Sequence, residues 1–173
     1  TDMTVWVNDT TRMPARMHSQ YLRGVFLENR ITAGRFAVEG RVIALKDIAA
    51  PIFVVATETD HIAPWRSVYK TKLFTNSNLT FVLTKGGHNS GILSEPGHKG
   101  RHYRISHRPE GAHYVGPDAW LAETASKPGS WWPDWVDWLT AQGGDLVRVP
   151  AIGAPDKGLA PLCPAPGSYV MQH

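Results

Sequence analysis

Two short runs of consecutive apolar residues dominate the hydropathy pattern. Pro51-Ile52-Phe53-Val54-Val55-Ala56-Thr57 is the first, and residues 79–83 are the second. Continuous, β-branched runs of this length suit strands covered on both faces, as in a parallel sheet. Between them, Pro64 stands where a helix can begin, and Val68, Leu73 and Phe74 supply apolar positions. Asn76-Ser77-Asn78 ends that helix. The pattern is therefore strand, helix, strand. Glu58-Thr59-Asp60-His61 leaves the first strand, and Lys85-Gly86-Gly87-His88 leaves the second. A right-handed crossover would put both loops on one edge of the sheet, where open α/β folds gather their chemistry.

The flanking pattern is less regular. Residues 18–29 place Tyr21, Leu22, Val25 and Phe26 at helical spacing, which predicts a helix with one buried stripe. Gly34 and Gly40 bracket Phe36-Ala37-Val38, and Val42-Ile43-Ala44-Leu45 follows, as short extended pieces joined by turns. Residues 117–126 predict a short helix with Trp120 and Leu121 inside. Ser130 is placed to cap a second helix over residues 131–142, closed by Gly143-Gly144. Trp131, Trp135, Trp138 and Leu139 fall on one side of that helix, and core packing is the favoured reading of them over a carbohydrate- or lipid-contacting face. Residues from Val149 onward carry Pro150, Pro155, Pro161, Pro164 and Pro166 and predict an extended tail.

Composition narrows the function classes. With 173 residues, 42% apolar and 19% charged, the chain has a globular balance. No run reaches the roughly eighteen apolar residues of a membrane span. The net charge is +3 and the basic residues are dispersed, so nothing indicates nucleic-acid binding. A lone cysteine excludes an internal disulfide framework and fits a reducing compartment. The chain begins at Thr1 with no secretion-type leader, which leads us to expect further sequence upstream.

The sharpest constellation is Asp60 after one strand and His88 after the next. A carboxylate bonded to one imidazole nitrogen leaves the other free to take a proton from a nucleophile. In the α/β-hydrolase arrangement the chain order is nucleophile, acid, histidine, so Asp60 and His88 would be the last two members. The bland alternative is a pair of ordinary loop residues. The catalytic reading requires an upstream Gly-x-Ser/Cys-x-Gly elbow, and none is present. Ser19 has no such neighbours, and Cys163 lies far downstream in the proline-rich tail, where a packed or partly exposed thiol is expected. His88, His98, His102, His107 and His113 raise a metal site, but their spacing matches no established ligand pattern. With Arg101, Arg104 and Arg108 among them, they suggest a polar, basic loop.

Taken in order, several blocks resemble the C-terminal half of the polyhydroxyalkanoate synthases, single-component, short-chain type. Trp6-Val7-Asn8-Asp9-Thr10-Thr11-Arg12-Met13-Pro14 is similar to the family's Trp-Asn-x-Asp-x-Thr-x-x-Pro, with Val7 where Asn is usual. His18, Tyr21-Leu22-Arg23 and Asn29 follow at matching distances. Asp60-His61-Ile62-Ala63-Pro64-Trp65 resembles the segment with the catalytic Asp, and Gly87-His88-Asn89-Ser90-Gly91 the segment with the catalytic His. Gly129-Ser130-Trp131-Trp132-Pro133-Asp134-Trp135 and Ala165-Pro166-Gly167-Ser168-Tyr169-Val170 resemble the two C-terminal signatures.

The resemblance implies an α/β fold: the C-terminal portion of an α/β-hydrolase-type sheet, with its last two parallel strands carrying the acid and His loops. Part of the cap, a Trp-rich C-terminal helix and an extended tail complete it. Residues 1–50 would be a cap-region segment and 51–173 the later part of the catalytic domain. The implied reaction is polymerisation of (R)-3-hydroxyacyl-CoA, 3-hydroxybutyryl-CoA above all, with release of CoA. An upstream Cys thiolate would take the acyl group and His88 would activate that thiol. Asp60 would orient His88 or help activate the next monomer's hydroxyl. His61 and Asn29 would lie near the substrate channel. No metal or organic cofactor is implied. The implied partners are hydroxyacyl-CoA, the growing polyester, a second subunit in a homodimer and granule-associated proteins, in the cytoplasm at storage granules. Two other readings stay open: a non-catalytic binding module using the Trp-rich face, and a fragment of a related esterase or depolymerase.

Overall fold

The structure, a computed structural model, describes residues 12–164 together with 167 and 168. Residues 6–11 of the first family-like block, and 165, 166, 169 and 170 of the last, lie outside the described residues. The chain divides into two compact units. One joins the residues up to His18 with those from Gly144, and the other is Ser19–Gly143.

The larger unit is of the α/β class. Its centre is a four-stranded mixed sheet in the order β3 (Ile52–Thr57), β4 (Leu79–Thr84), β5 (His102–Arg108), β6 (Lys127–Pro128). Strands β3 (Ile52–Thr57) and β4 (Leu79–Thr84) are parallel, pairing Ile52 with Leu79 and Thr57 with Thr84. The two apolar runs thus form the expected parallel pair. Period-two alternation sends their side chains to opposite faces. On one face, Ile52, Val54 and Ala56 of β3 and Leu79, Phe81 and Leu83 of β4 pack with Trp65, Tyr69 and Trp120. On the other, Phe53, Val55 and Val82 pack with Tyr103, Ile105, Trp131 and Trp132. Tyr69 and Phe81 are wholly buried, and burial of each large side chain contributes about 1.5–3 kcal/mol.

The crossover from β3 to β4 holds two short helices, α2 (Trp65–Tyr69) and α3 (Thr71–Phe74). Pro64 caps the first of them, as its fixed φ favours. Tyr69 and Trp65 from α2 then meet Trp120 from α4 (Pro117–Glu123) over the sheet.

The basic histidine-rich stretch corrects the expectation of a loop. Residues His102–Arg108 form β5, antiparallel to β4 and followed by the short β6 (Lys127–Pro128). Alternation explains how so polar a segment enters a sheet. Tyr103 and Ile105 bury into the second cluster. Arg104, Ser106 and Arg108 point the other way and find partners there. Arg104 donates to the Thr124 carbonyl and Ser106 Oγ accepts from the Trp120 indole N–H. Arg108 donates to the carbonyls of Lys72 and Thr75 at 2.8 and 2.7 Å.

The predicted helix near the start is also changed. α1 (Ala15–Tyr21) runs into a π-helical turn, Leu22–Leu27. Wider winding breaks the 3.6-residue stripe. Tyr21, Leu22, Phe26 and Leu27 are exposed and only Gly24 is buried, so the stripe is not the buried face that the spacing suggests. Beyond it, β1 (Phe36–Val38) and β2 (Arg41–Ile43) form a two-residue hairpin. Glu39 and Gly40 both take positive φ at its turn, which matches the strand twist.

The last helix, α5 (Trp132–Gln142), starts where Ser130 Oγ accepts the Trp132 N–H at 3.0 Å. Its tryptophans are not one buried row. Trp131 is buried and Trp138 packs edge-on to Phe53, whereas Trp135 and Leu139 are exposed. The cause is steric: Trp131 and Trp138 reach Phe53, and Trp135 stacks on Trp131 rather than on the sheet. In the smaller unit, the described tail contains a short 3-10 turn (Pro155–Lys157) and an isolated bridge from Ala154 to Leu159. No helix among the described residues is long and apolar enough to cross a membrane.

Candidate active site

Parallel pairing of β3 and β4 brings their exit loops side by side. Backbone bonds continue the ladder past the strands: Glu58 N–H to the Thr84 carbonyl at 2.9 Å, and Thr59 N–H to the Gly86 carbonyl at 3.0 Å. Asp60 and His88, 28 positions apart in sequence, therefore meet, with Oδ2 to Nδ1 at 2.9 Å.

Each atom of Asp60 has a task. Its Oδ1 accepts the backbone N–H groups of Ile62 and Ala63, both at 2.9 Å. The bond from Ala63, helped by those from His88 and Ile62, lowers its pKa from 3.8 to about 2 against the opposing cost of burial. The side chain is only 8% exposed. An ionised carboxylate only accepts, so His88 Nδ1 must carry the hydrogen. In the neutral ring, Nε2 is then the basic nitrogen. His88 is 43% exposed, and no hydrogen bond engages Nε2 among the described residues. The pair has the tautomer and the access that a general base requires.

Packing fixes the histidine loop more closely than its sequence suggests. Gly86 has φ +128°, and a Cβ there would lie 2.8 Å from the Gly91 backbone. A Cβ on Gly91 would overlap the Thr57 side chain. Glycine is thus required at both positions for the loop to fold back on the end of β3. Arg101 ties the loop's two arms together, donating to the carbonyls of Lys85 and Leu93, both at 3.2 Å. The tryptophan block secures the far side. Trp131 and Trp132 donate their indole N–H groups to the Gly91 and Ile92 carbonyls, and Ser130 donates to the Ser94 carbonyl. Asp134 anchors that block to the sheet by accepting from Tyr103 Oη and pairing with Lys127 at 3.6 Å.

The other candidates are not drawn into this cluster. His61 follows Asp60 directly and is exposed, and it has no hydrogen bond to the pair among the described residues. Asn29 is exposed, adopts φ 45°, and accepts backbone Ala33 N–H at the end of the π-helical turn. Among the described residues, no group of three or more His, Cys, Asp or Glu side chains could hold a metal ion. His98 pairs with Glu95, His102 with Glu58 at 3.0 Å, and His107 contacts Thr80 Oγ1. Cys163 is a free, exposed thiol in the tail. Sequence reasoning missed Arg101 and the Glu58–His102 pair. Their roles depend on β5, which charge concealed.

The comparisons with known proteins agree with the residue blocks. No protein-family model matches the chain. Curated relatives do. The poly(3-hydroxyalkanoate) polymerase subunit PhaC of Rhizobium meliloti is 39% identical over 171 residues, which is 98% of this chain and 26% of that protein. The poly(3-hydroxyalkanoate) polymerase of Methylorubrum extorquens is 37% identical over 98% of the chain and 27% of its own length. The polymerase subunit of Cupriavidus necator is 34% identical over 98% of the chain and 28% of its own length. The chain spans a little over a quarter of the length of these relatives, and over that span, nearly the whole of its own length, it is similar to the poly(3-hydroxyalkanoate) polymerases.

Proposed function

We propose that this chain supplies the acid and the base of an acyl-transfer site that polymerises (R)-3-hydroxyacyl-CoA, with 3-hydroxybutyryl-CoA as the leading monomer. The observation that carries the reading is the Asp60–His88 hydrogen bond at the shared end of β3 and β4. The relatives are named for the polymer, poly(3-hydroxyalkanoate), and the CoA thioester is the monomer that the family resemblance implies. The nucleophile is a Cys thiol on an elbow that the 173 residues do not contain. His88 Nε2 takes the thiol proton. The thiolate adds to the thioester carbonyl, the C–S bond to CoA breaks, and the imidazolium returns its proton to the departing CoA sulfur. The next monomer's hydroxyl then attacks the enzyme-bound thioester and gives its proton to the now neutral imidazole; the ester C–O bond forms as the C–S bond to the Cys breaks, freeing its thiolate. Asp60 holds His88 in the required tautomer and balances the imidazolium as it forms. The parallel pair with acid and histidine at successive strand ends supports an α/β-hydrolase-type sheet.

In this reading His61 and Asn29 border the substrate channel, and the intact enzyme is a cytoplasmic homodimer at polyester granules. The test is His88→Gln in the intact protein. Polymer formation from hydroxybutyryl-CoA is expected to fall by about two to four orders of magnitude while circular dichroism and melting stay near wild type. Polymerisation at the wild-type rate would overturn the assignment.

A further inference from the structure

The opposite end of the sheet holds a cation that the acyl-transfer reading does not use. Lys72 lies in α3 and is 6% exposed, yet no carboxylate among the described residues comes within ion-pairing distance. Its Nζ stands 4.4 Å from the Tyr69 ring centre, 5.4 Å from Phe81 and 5.5 Å from Trp120. Its only hydrogen bond among the described residues goes to Tyr69 Oη, at 3.4 Å. An ammonium has three donors, so most of its capacity is unspent. Arg108 lies nearby, and its buried Nε also lacks a partner.

Burying an unpaired cation is costly, and aromatic faces offset only part of that cost. Folds retain such a group where something else completes it. Here both donors line one pocket of ≈ 320 Å³. Its remaining walls include Tyr69, Trp120, Pro109, Ala112 and Val115. The titratable neighbours facing it are Glu123, His107 and His113. With the histidines neutral, Lys72 and Arg108 outweigh Glu123 by one charge. The pocket therefore suits one negative charge carried on a small apolar body.

We propose that this pocket is a binding site for small organic carboxylates, with Lys72 Nζ as the anchoring donor and Pro109, Ala112 and Val115 holding the apolar part. The site lies at the amino ends of β3 and β4, away from Asp60 and His88, and does not depend on the polymerase reading. Desolvation, reinforced by Arg108, also lowers the Lys72 pKa to about 8, and a bound anion would raise it by favouring the charged form.

The experiment uses the intact protein with ¹³C-labelled lysine Cε groups. Lys72 is assigned as the resonance missing from Lys72→Met. Acetate, butyrate, benzoate and inorganic phosphate are titrated separately. Expected is a saturable shift of the Lys72 signal, tighter for butyrate or benzoate than for acetate or phosphate, with its titration midpoint moving upward. Ala112→Phe, which fills the pocket and leaves Lys72 in place, is expected to abolish the response. Three results would each overturn the proposal: no saturable response to any carboxylate, an undiminished response in Ala112→Phe, or a Lys72 that already titrates in the ordinary lysine range. Phosphate binding more tightly than every carboxylate would refute the ligand class.

Discussion

Asp60 spends both carboxylate oxygens: two backbone N–H groups hold Oδ1, and His88 Nδ1 holds Oδ2. The side chain that turns the loop is thus the one that orients the imidazole, so structure and chemistry share one residue. Its lowered pKa has a definite sign for stability. In the unfolded chain Asp60 protonates near 3.8, and in the folded one near 2. The stabilisation it lends is therefore complete above the unfolded value and is lost as pH falls through about 2. In Asp60→Asn, this pH-dependent part should vanish. The melting-temperature gap between wild type and variant should narrow as pH drops from 5 to 2. Differential scanning calorimetry across that range checks it, and a gap constant with pH would contradict the assigned bonds. In the intact protein the same variant should lose polymerisation by about two to four orders of magnitude, because an amide can settle the imidazole in the wrong tautomer.

Among elements, the loop from β4 to β5 is the one on which the site depends. It is shaped by close approach, since Gly91 lies directly against Thr57. Gly91→Ala should push the loop off the end of β3, lowering stability by about 1–3 kcal/mol and reducing activity with it. Adding Thr57→Ser removes the obstructing methyl and should restore part of both, as paired denaturation and activity measurements would show. An unaffected Gly91→Ala would mean the loop does not pack this way. Trp132→Phe keeps an aromatic ring but deletes the indole N–H that bonds the Ile92 carbonyl at 3.0 Å. A cost of about 1 kcal/mol is expected, with faster amide exchange at Gly91 and Ile92 but not in β4.

These elements also show what a sequence discloses. β3 and β4 were legible because both of their faces are apolar, and Asp60 and His88 because they stand at the ends of those runs. β5 was hidden: His102, Arg104, Ser106 and Arg108 occupy one whole face, and only folding reveals the carboxylate, carbonyls and indole that meet them. The stripe of α1 misled for the opposite reason, since a π turn changes the period on which the reading relied. No local pattern encodes Arg101 bridging residues 85 and 93, because that contact exists only once the loop is closed.

At the scale of the whole molecule, the proposed acid and base stand together, and the nucleophile that the proposal pairs with them is not among the 173 residues. The described Asp60–His88 pair is complete, and the 173 residues hold no Gly-x-Ser/Cys-x-Gly elbow. Cys163, free and exposed, is the sole thiol. If the proposed chemistry is right, the chain by itself should release no CoA from hydroxybutyryl-CoA above the buffer rate, and Cys163→Ser should change nothing. A thiol-reactive dye reports CoA directly. Turnover that disappears in Cys163→Ser would make that tail thiol the nucleophile and sink the proposed elbow. A second consequence comes from the sheet. β3 pairs only with β4 among the described residues, and Ile52, Val54 and Ala56 turn their backbone groups toward β4, so its outer edge presents the N–H and C=O groups of Phe53 and Val55. Such an edge is a template for another strand. The chain alone should therefore associate as its concentration rises, whereas the intact protein should not associate by this route. Light scattering over a concentration series distinguishes the two, and a chain that stays monomeric throughout would show that the β3 edge is covered.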